Sequence, residues 1–128
     1  MIEVVIKSVS PFAEYEDIVY SYKVICVLSS GREISFIDEK PFDLTEAINK
    51  KIKIELVAFF LSERKDCFYS FAGTIEYSDL SNEYYFVGDE IRVLIPRETI
   101  EMSNVKINER KEYCFEEFIL QNLITETQ

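Results

Sequence analysis

Residues 52–61 read IKIELVAFFL, and Ile52, Ile54, Leu56, Ala58 and Phe60 fall on alternate positions. A period of two places those side chains on one face of a strand, because successive Cβ atoms point to opposite sides. The other face begins charged, at Lys53 and Glu55, and turns apolar at Val57, Phe59 and Leu61. Ile18–Leu28 repeats the design. Ile18, Tyr20, Tyr22, Val24, Cys26 and Leu28 share a face, while the opposite one passes from Ser21 and Lys23 to Ile25 and Val27. A strand that is half-buried along one part and buried on both faces along the next suits a chain that bends between sheets, as barrels and sandwiches require.

The rest of the chain supplies strands and turns around these two. Residues 2–6 predict a first strand through Ile2, Val4 and Ile6, followed by a loop over residues 8–16 that contains Pro11. Residues 29–32 form a turn in which Gly31 is free to take positive φ, and residues 32–38 return with Ile34 and Phe36 on one face. Pro41 breaks the ladder. Asp43 and Glu46 then have capping-box spacing, and Leu44, Ala47 and Ile48 make one apolar stripe, so a short helix is expected over residues 44–49. After a charged turn at residues 63–66 come strands at 67–77, 84–87 and 90–95, with Gly73 marking a bulge or bend. Residues 99–102 and 104–107 read as short edge strands. Residues 111–120 fit a strand through Tyr113, Phe115 and Ile119. They also fit a helix through Phe115, Phe118, Ile119 and Asn122, the strand being preferred. The expected unit is a single domain over residues 1–124 with a frayed tail at 125–128.

Strands without long alternating helices exclude a doubly wound parallel sheet. Three strands, a short helix and further strands give a mainly-β chain, a small Greek-key barrel of the OB kind. The stretch FAGTIEYSDLSNEYYFVGDEIRVLIP also resembles the hairpins of translation-factor-type β-barrels, a likeness that implies a small barrel and transfers no functional residue.

The chain carries 24 acids against 14 bases and no histidine, a formal charge of −10. Nucleic-acid backbones and anionic membrane surfaces are met by Lys and Arg, so both partners are disfavoured. A basic protein partner is favoured instead by electrostatic complementarity. The start, MIEVVIKSVS, lacks the cationic leader and apolar run of a signal peptide. No apolar stretch approaches the ~18 residues of a membrane helix. Cys26, Cys67 and Cys114 are odd in number and widely spaced, with no CxxC, so the expected setting is cytoplasmic, with all three thiols reduced and buried.

Chemistry has few supports. Without histidine there is no Ser-His-Asp or Cys-His arrangement. Glycines at 31, 73 and 88 cannot spell a phosphate-binding loop. The acidic pairs Glu16-Asp17, Asp38-Glu39, Asp89-Glu90 and Glu116-Glu117 read as solvated turns or strand ends. Residues 78–83 offer oxygens without the spacing or glycine of a calcium loop. No catalytic residue, metal or cofactor is therefore assigned.

Two binding surfaces are candidates. Residues 78–90 contain Asp79, Glu83, Asp89 and Glu90 with no cation, around Tyr84 and Tyr85, and would meet a basic protein as an adaptor, inhibitor or immunity-type protein does. The alternative is an OB-like face that binds a small ligand or a single nucleic-acid strand. Tyr20, Tyr22 and Tyr69 would then be aromatic platforms, helped by Lys51 and Lys53.

Overall fold

The structure is a computed structural model that describes residues 1–59, 61–63, 67–103 and 105–124. Its strands are β1 (Ile2–Tyr15), β2 (Ile18–Leu28), β3 (Glu33–Asp38), β4 (Lys51–Val57), β5 (Tyr69–Ser78), β6 (Glu83–Gly88), β7 (Arg92–Ile95), β8 (Lys111–Phe115) and β9 (Ile119–Ile124). A 3₁₀ turn at Thr45–Ala47 lies between β3 and β4, and helix α1 (Arg97–Ser103) follows β7.

Five strands close on themselves in the order β1-β2-β3-β9-β4 and back to β1. Their pairings are antiparallel except β3 with β9, which meet in parallel at Ile37 and Ile119. This is an OB-like barrel in which β9 serves as the fifth strand. The short helical element after the third strand also falls where that fold keeps its own. Between β4 and β9, residues 58–118 build a second sheet in the order β7-β6-β5-β8. It is joined to the barrel where β7 runs parallel to the end of β4, at Leu56 with Val93 and Val57 with Leu94.

The alternation explains the wall. Ile52, Ile54 and Leu56 point inward and are buried, while Lys51 and Lys53 point out. At Val57 both faces become buried, at the point where β7 joins β4 alongside β9. Val24, Cys26 and Leu28 do the same for β2. The inserted sheet adds aromatic rings to the same apolar cluster. Phe115 lies 5.0 Å from Phe86 and 5.4 Å from Phe118 by ring centres, continuous with the barrel core. Gly73 and Gly88 pair across β5 and β6. A Cβ at Gly73 would collide with the Val87 carbonyl oxygen and the Gly88 Cα, so this close approach admits no side chain.

Several local expectations are corrected. The loop expected at residues 8–16 is strand, and β1 continues to Tyr15 with shifts of register. The helix expected over 44–49 shrinks to one 3₁₀ turn, and Asp43 there accepts the Thr45 amide and hydroxyl at 3.2 and 2.6 Å. Residues 99–102, expected as an edge strand, lie in α1. Pro96 opens that helix by accepting the Thr99 and Ile100 amides, and the Thr99 hydroxyl donates to the Phe59 carbonyl. The run 111–120 is two strands, β8 and β9, parted by a bend at Glu116. Gly73 makes no bulge, since the register of β5 is continuous on both sides. Asn104 of the second expected edge strand, the turn at 64–66 and the tail at 125–128 lie outside the described residues.

Candidate functional site

Two features stand out from the barrel wall, and both belong to the side built by β2 and β3. The first is an arm. β1 pairs with β4 only over Ile2–Val5, and β2 pairs with β3 only over Tyr22–Val27. Ile6 still bridges Ile48, and from Ser8 and Ser21 outward the two strands pair with each other alone, out to Tyr15 opposite Ile18. Pro11 opposes Tyr22, then Ala13 opposes Ser21, then Glu14 opposes Val19. Phe12 and Tyr20 are thus the extra residues of two bulges, which twist the ribbon and re-aim these side chains. Phe12, Tyr15, Ile18 and Tyr20 are 59, 66, 56 and 52% exposed.

The second feature is an open groove of about 550 Å³ that starts beside Phe12 and crosses the outer face of β2 and β3. Lys23 and Ile25 lie on its floor from β2, and Ser35 and Ile37 from β3. Tyr69 and the largely exposed Phe68 form the far wall, at the entry to β5. Glu33, Glu116 and Glu117 supply acid around one cation, Lys23, among the described lining residues. Three carboxylates less one ammonium leave a formal charge of −2.

Tyr69 is a fixed part of that wall. The Ser35 amide donates to its hydroxyl at 2.9 Å, and the hydroxyl lies 2.8 Å from Ser35 Oγ. Its ring stacks on Phe118 at 5.4 Å. The hydroxyl thereby satisfies a β3 amide on the edge away from β2, a group that would otherwise be costly to bury. Arg32 fixes the other end of the same junction. Its guanidinium donates to the Ser70 carbonyl at 2.9 Å, lies 4.0 Å from the Phe71 ring centre and pairs with Glu90 at 3.5 Å.

Cys67 and Cys114 form a disulfide with Cα atoms 5.6 Å apart, tying the segment before Phe68 to β8. The expectation of three separate thiols is corrected here. The antiparallel pairing of β5 with β8 sets Ser70 opposite Cys114 and brings together residues 47 apart in sequence. Cys26 remains a buried thiol in the barrel, and burial, with Glu33 nearby, pushes it up to about 12.

The acidic stretch 78–90 is divided by the structure. Asp79 and Glu83 lie at one end of the β5–β6 hairpin, and Asp89 and Glu90 lie beyond the other end of β6. Six strand residues separate the two ends by about 20 Å. Cations from elsewhere meet most of it. Asp89 pairs with Arg110 at 2.9 Å and Glu90 with Arg32. Tyr84 lies against Tyr77 at 5.1 Å and under Arg97 at 5.6 Å. Tyr85 is buried beneath Arg92 at 4.1 Å and donates to Glu83 at 3.0 Å.

The alternative set is also spread out. Tyr69 lines the groove, Tyr20 is on the arm and Tyr22 packs against the core. Lys51 and Lys53 point outward from β4, which is separated from β2 by β1 and from β3 by β9. Lys51 pairs with Glu3 at 3.6 Å.

Asp38, read as solvated, is fully buried, and its carboxylate accepts the Phe42 amide at 2.9 Å and the Asp43 amide at 3.0 Å. Among the described residues no three His, Cys, Asp or Glu side chains converge as a metal site would require, and no helix is long and apolar enough to cross a membrane. Protein-family models, curated proteins and solved structures were compared with the chain, and none matches.

Proposed function

We propose that the protein is a non-catalytic binding module whose OB-like face receives a basic segment of a protein partner. The observation that carries this reading is the groove over β2 and β3. It offers exposed rings at Phe12 and Phe68 and an acidic rim with Lys23 as its one described cation. An OB-like barrel holds ligands on that face, and rings flanked by carboxylates accept a chain bearing Lys or Arg, through cation–π contact and charge pairing. The formal charge of −10 favours the same class of partner.

The two acid clusters of residues 78–90 enter this reading as separate contacts. Glu83→Lys and Asp89→Lys variants would report through association rate which end of β6 faces the partner. The cytoplasmic expectation loses its argument from reduced thiols, because a disulfide of this kind persists in oxidising compartments.

Fluorescence anisotropy with two probes tests the reading: a Lys- and Arg-rich peptide of about a dozen residues, and oligothymidine of the same length. The expected result is peptide binding in the micromolar range that weakens at least tenfold on raising salt and in Phe68→Ala. Binding of the oligonucleotide, with none of the peptide, would replace this reading with the nucleic-acid one. In that case the rings of Phe12, Phe68 and Tyr69 act as stacking platforms.

A further inference from the structure

We propose that the β1–β2 arm inserts, acidic tip first, into a basic, apolar-walled cleft of a protein partner. This rests on the reading of the chain as a module for a basic protein, but not on the groove. Four large apolar side chains are exposed on a two-stranded ribbon that no third strand supports among the described residues. Concentrated apolar exposure of this kind marks a contact surface. Charge selects the occupant. Between Lys7 and Lys23 the side chains charged at neutral pH are Glu14, Glu16 and Asp17, all acidic and all at or beside the tip. A second copy of the chain, itself at −10, would be repelled, while a cationic cleft would be attracted.

The turn gives an independent argument. Glu16 and Asp17 are the two residues between Tyr15 and Ile18, with φ of 51° and 64°. Two positive φ values in a two-residue hairpin turn are the type I′ geometry, which strongly prefers Asn, Asp or Gly followed by Gly. Glutamate is strained in the left-handed region, and nothing in the fold needs a carboxylate there, since both residues are exposed. The tip therefore keeps Glu16 and Asp17 at positions where Asn and Gly would make the better turn. A local rule broken without structural return is the mark of a functional position.

The test separates stability from binding. In Glu16→Asn/Asp17→Gly the turn receives its preferred residues and the tip loses two charges, so Tm should rise by about 3 °C. A photo-crosslinking p-benzoylphenylalanine replaces Tyr15 in the full chain. It is exposed to lysate of the source cell at low and high salt, and crosslinked peptides are identified by mass. The expected product is a peptide from a basic protein, with a yield that falls at least tenfold at high salt and in the Asn-Gly variant. The same label at Lys51, on the far wall, should give no such product. Four results would each overturn the proposal: no product at position 15, a product with a second copy or with an acidic protein, unchanged yield in the Asn-Gly variant, or a lower Tm for it. Peptide binding that Phe68→Ala leaves unchanged, alongside an intact crosslink, would place a failure in the groove rather than the arm.

Discussion

The two ends of the β1–β2 ribbon are made of the same kinds of side chain and meet opposite fates. At the root Val4, Ile6, Val24 and Cys26 are fully buried, with β4 on one side and β3 on the other. At the tip Phe12, Tyr15, Ile18 and Tyr20 are more than half exposed. Alternation makes both ends strand, but burial depends on whether a neighbouring strand continues. Apolar character at the root holds the fold, and at the tip it is available to something else.

The sharpest way to break this comparison is to truncate one residue at each end. Ile6→Ala should cost about 3 kcal/mol by urea denaturation, since it leaves a cavity in a closed wall. Ile18→Ala should change stability by less than about 0.5 kcal/mol. Equal losses would mean that the arm is packed in solution and that the contrast is false. The boundary between the ends comes next. Asp38, the last residue of β3, pairs with Tyr22 where the ribbon leaves the sheet. Asp38→Ala would orphan the Phe42 and Asp43 amides and should cost about 2 kcal/mol. A neutral result would show that the boundary is held by strand pairing alone.

The root thiol yields a smaller, pH-dependent effect. Burial raises the Cys26 thiol from its ordinary value near 9.0 to about 12 in the fold, with Glu33 adding to the shift. A group raised in the folded state contributes nothing to pH dependence below its unfolded pKa, and stability falls as pH climbs from 9 towards 12. Relative to Cys26→Ala, the native chain should lose about 1 kcal/mol between pH 8 and pH 10. Parallel denaturation curves for the two proteins would show that the thiol reaches solvent. Smallest in energy is the exchange contrast. Amides of residues 12–20 should exchange with deuterium by local opening, while those of Val24 and Cys26 should exchange only on global unfolding. Protection shared along the whole ribbon would erase the difference between root and tip.

Much of the barrel was legible because its inward residues obey a strict period. Ile52, Ile54 and Leu56 announced β4, and Val57 announced the place where its second face is covered. The arm was not legible. Pro11 suggests a break, but it sits beside the bulge at Phe12, beyond the reach of β4, where a missing N–H is tolerated. Thr99 and Ile100 favour a strand by their branched side chains, and the tertiary anchor of Thr99 on the Phe59 carbonyl makes them helical. The groove could not be read at all from local pattern. Phe12 and Lys23 share the β1–β2 hairpin, but Phe68 and Glu117 are far from them in sequence and join them only in the folded chain. The acidity of residues 78–90 misled for the same reason, since Arg32, Arg92, Arg97 and Arg110 come to it from elsewhere in the chain. Bulk charge pointed to the class of partner, while the place on the molecule depended on topology.

The insertion of residues 58–118 between β4 and β9 has a kinetic consequence. The fifth stave of the barrel is synthesised after the entire second sheet, yet it must return to lie between β3 and β4. Until then the first four strands hold a seam open, with Ile54 and Leu56 at its margin and no local contact to close it. High contact order slows such closure, and a nascent chain paused short of Ile119 would present that seam to chaperones or to other chains.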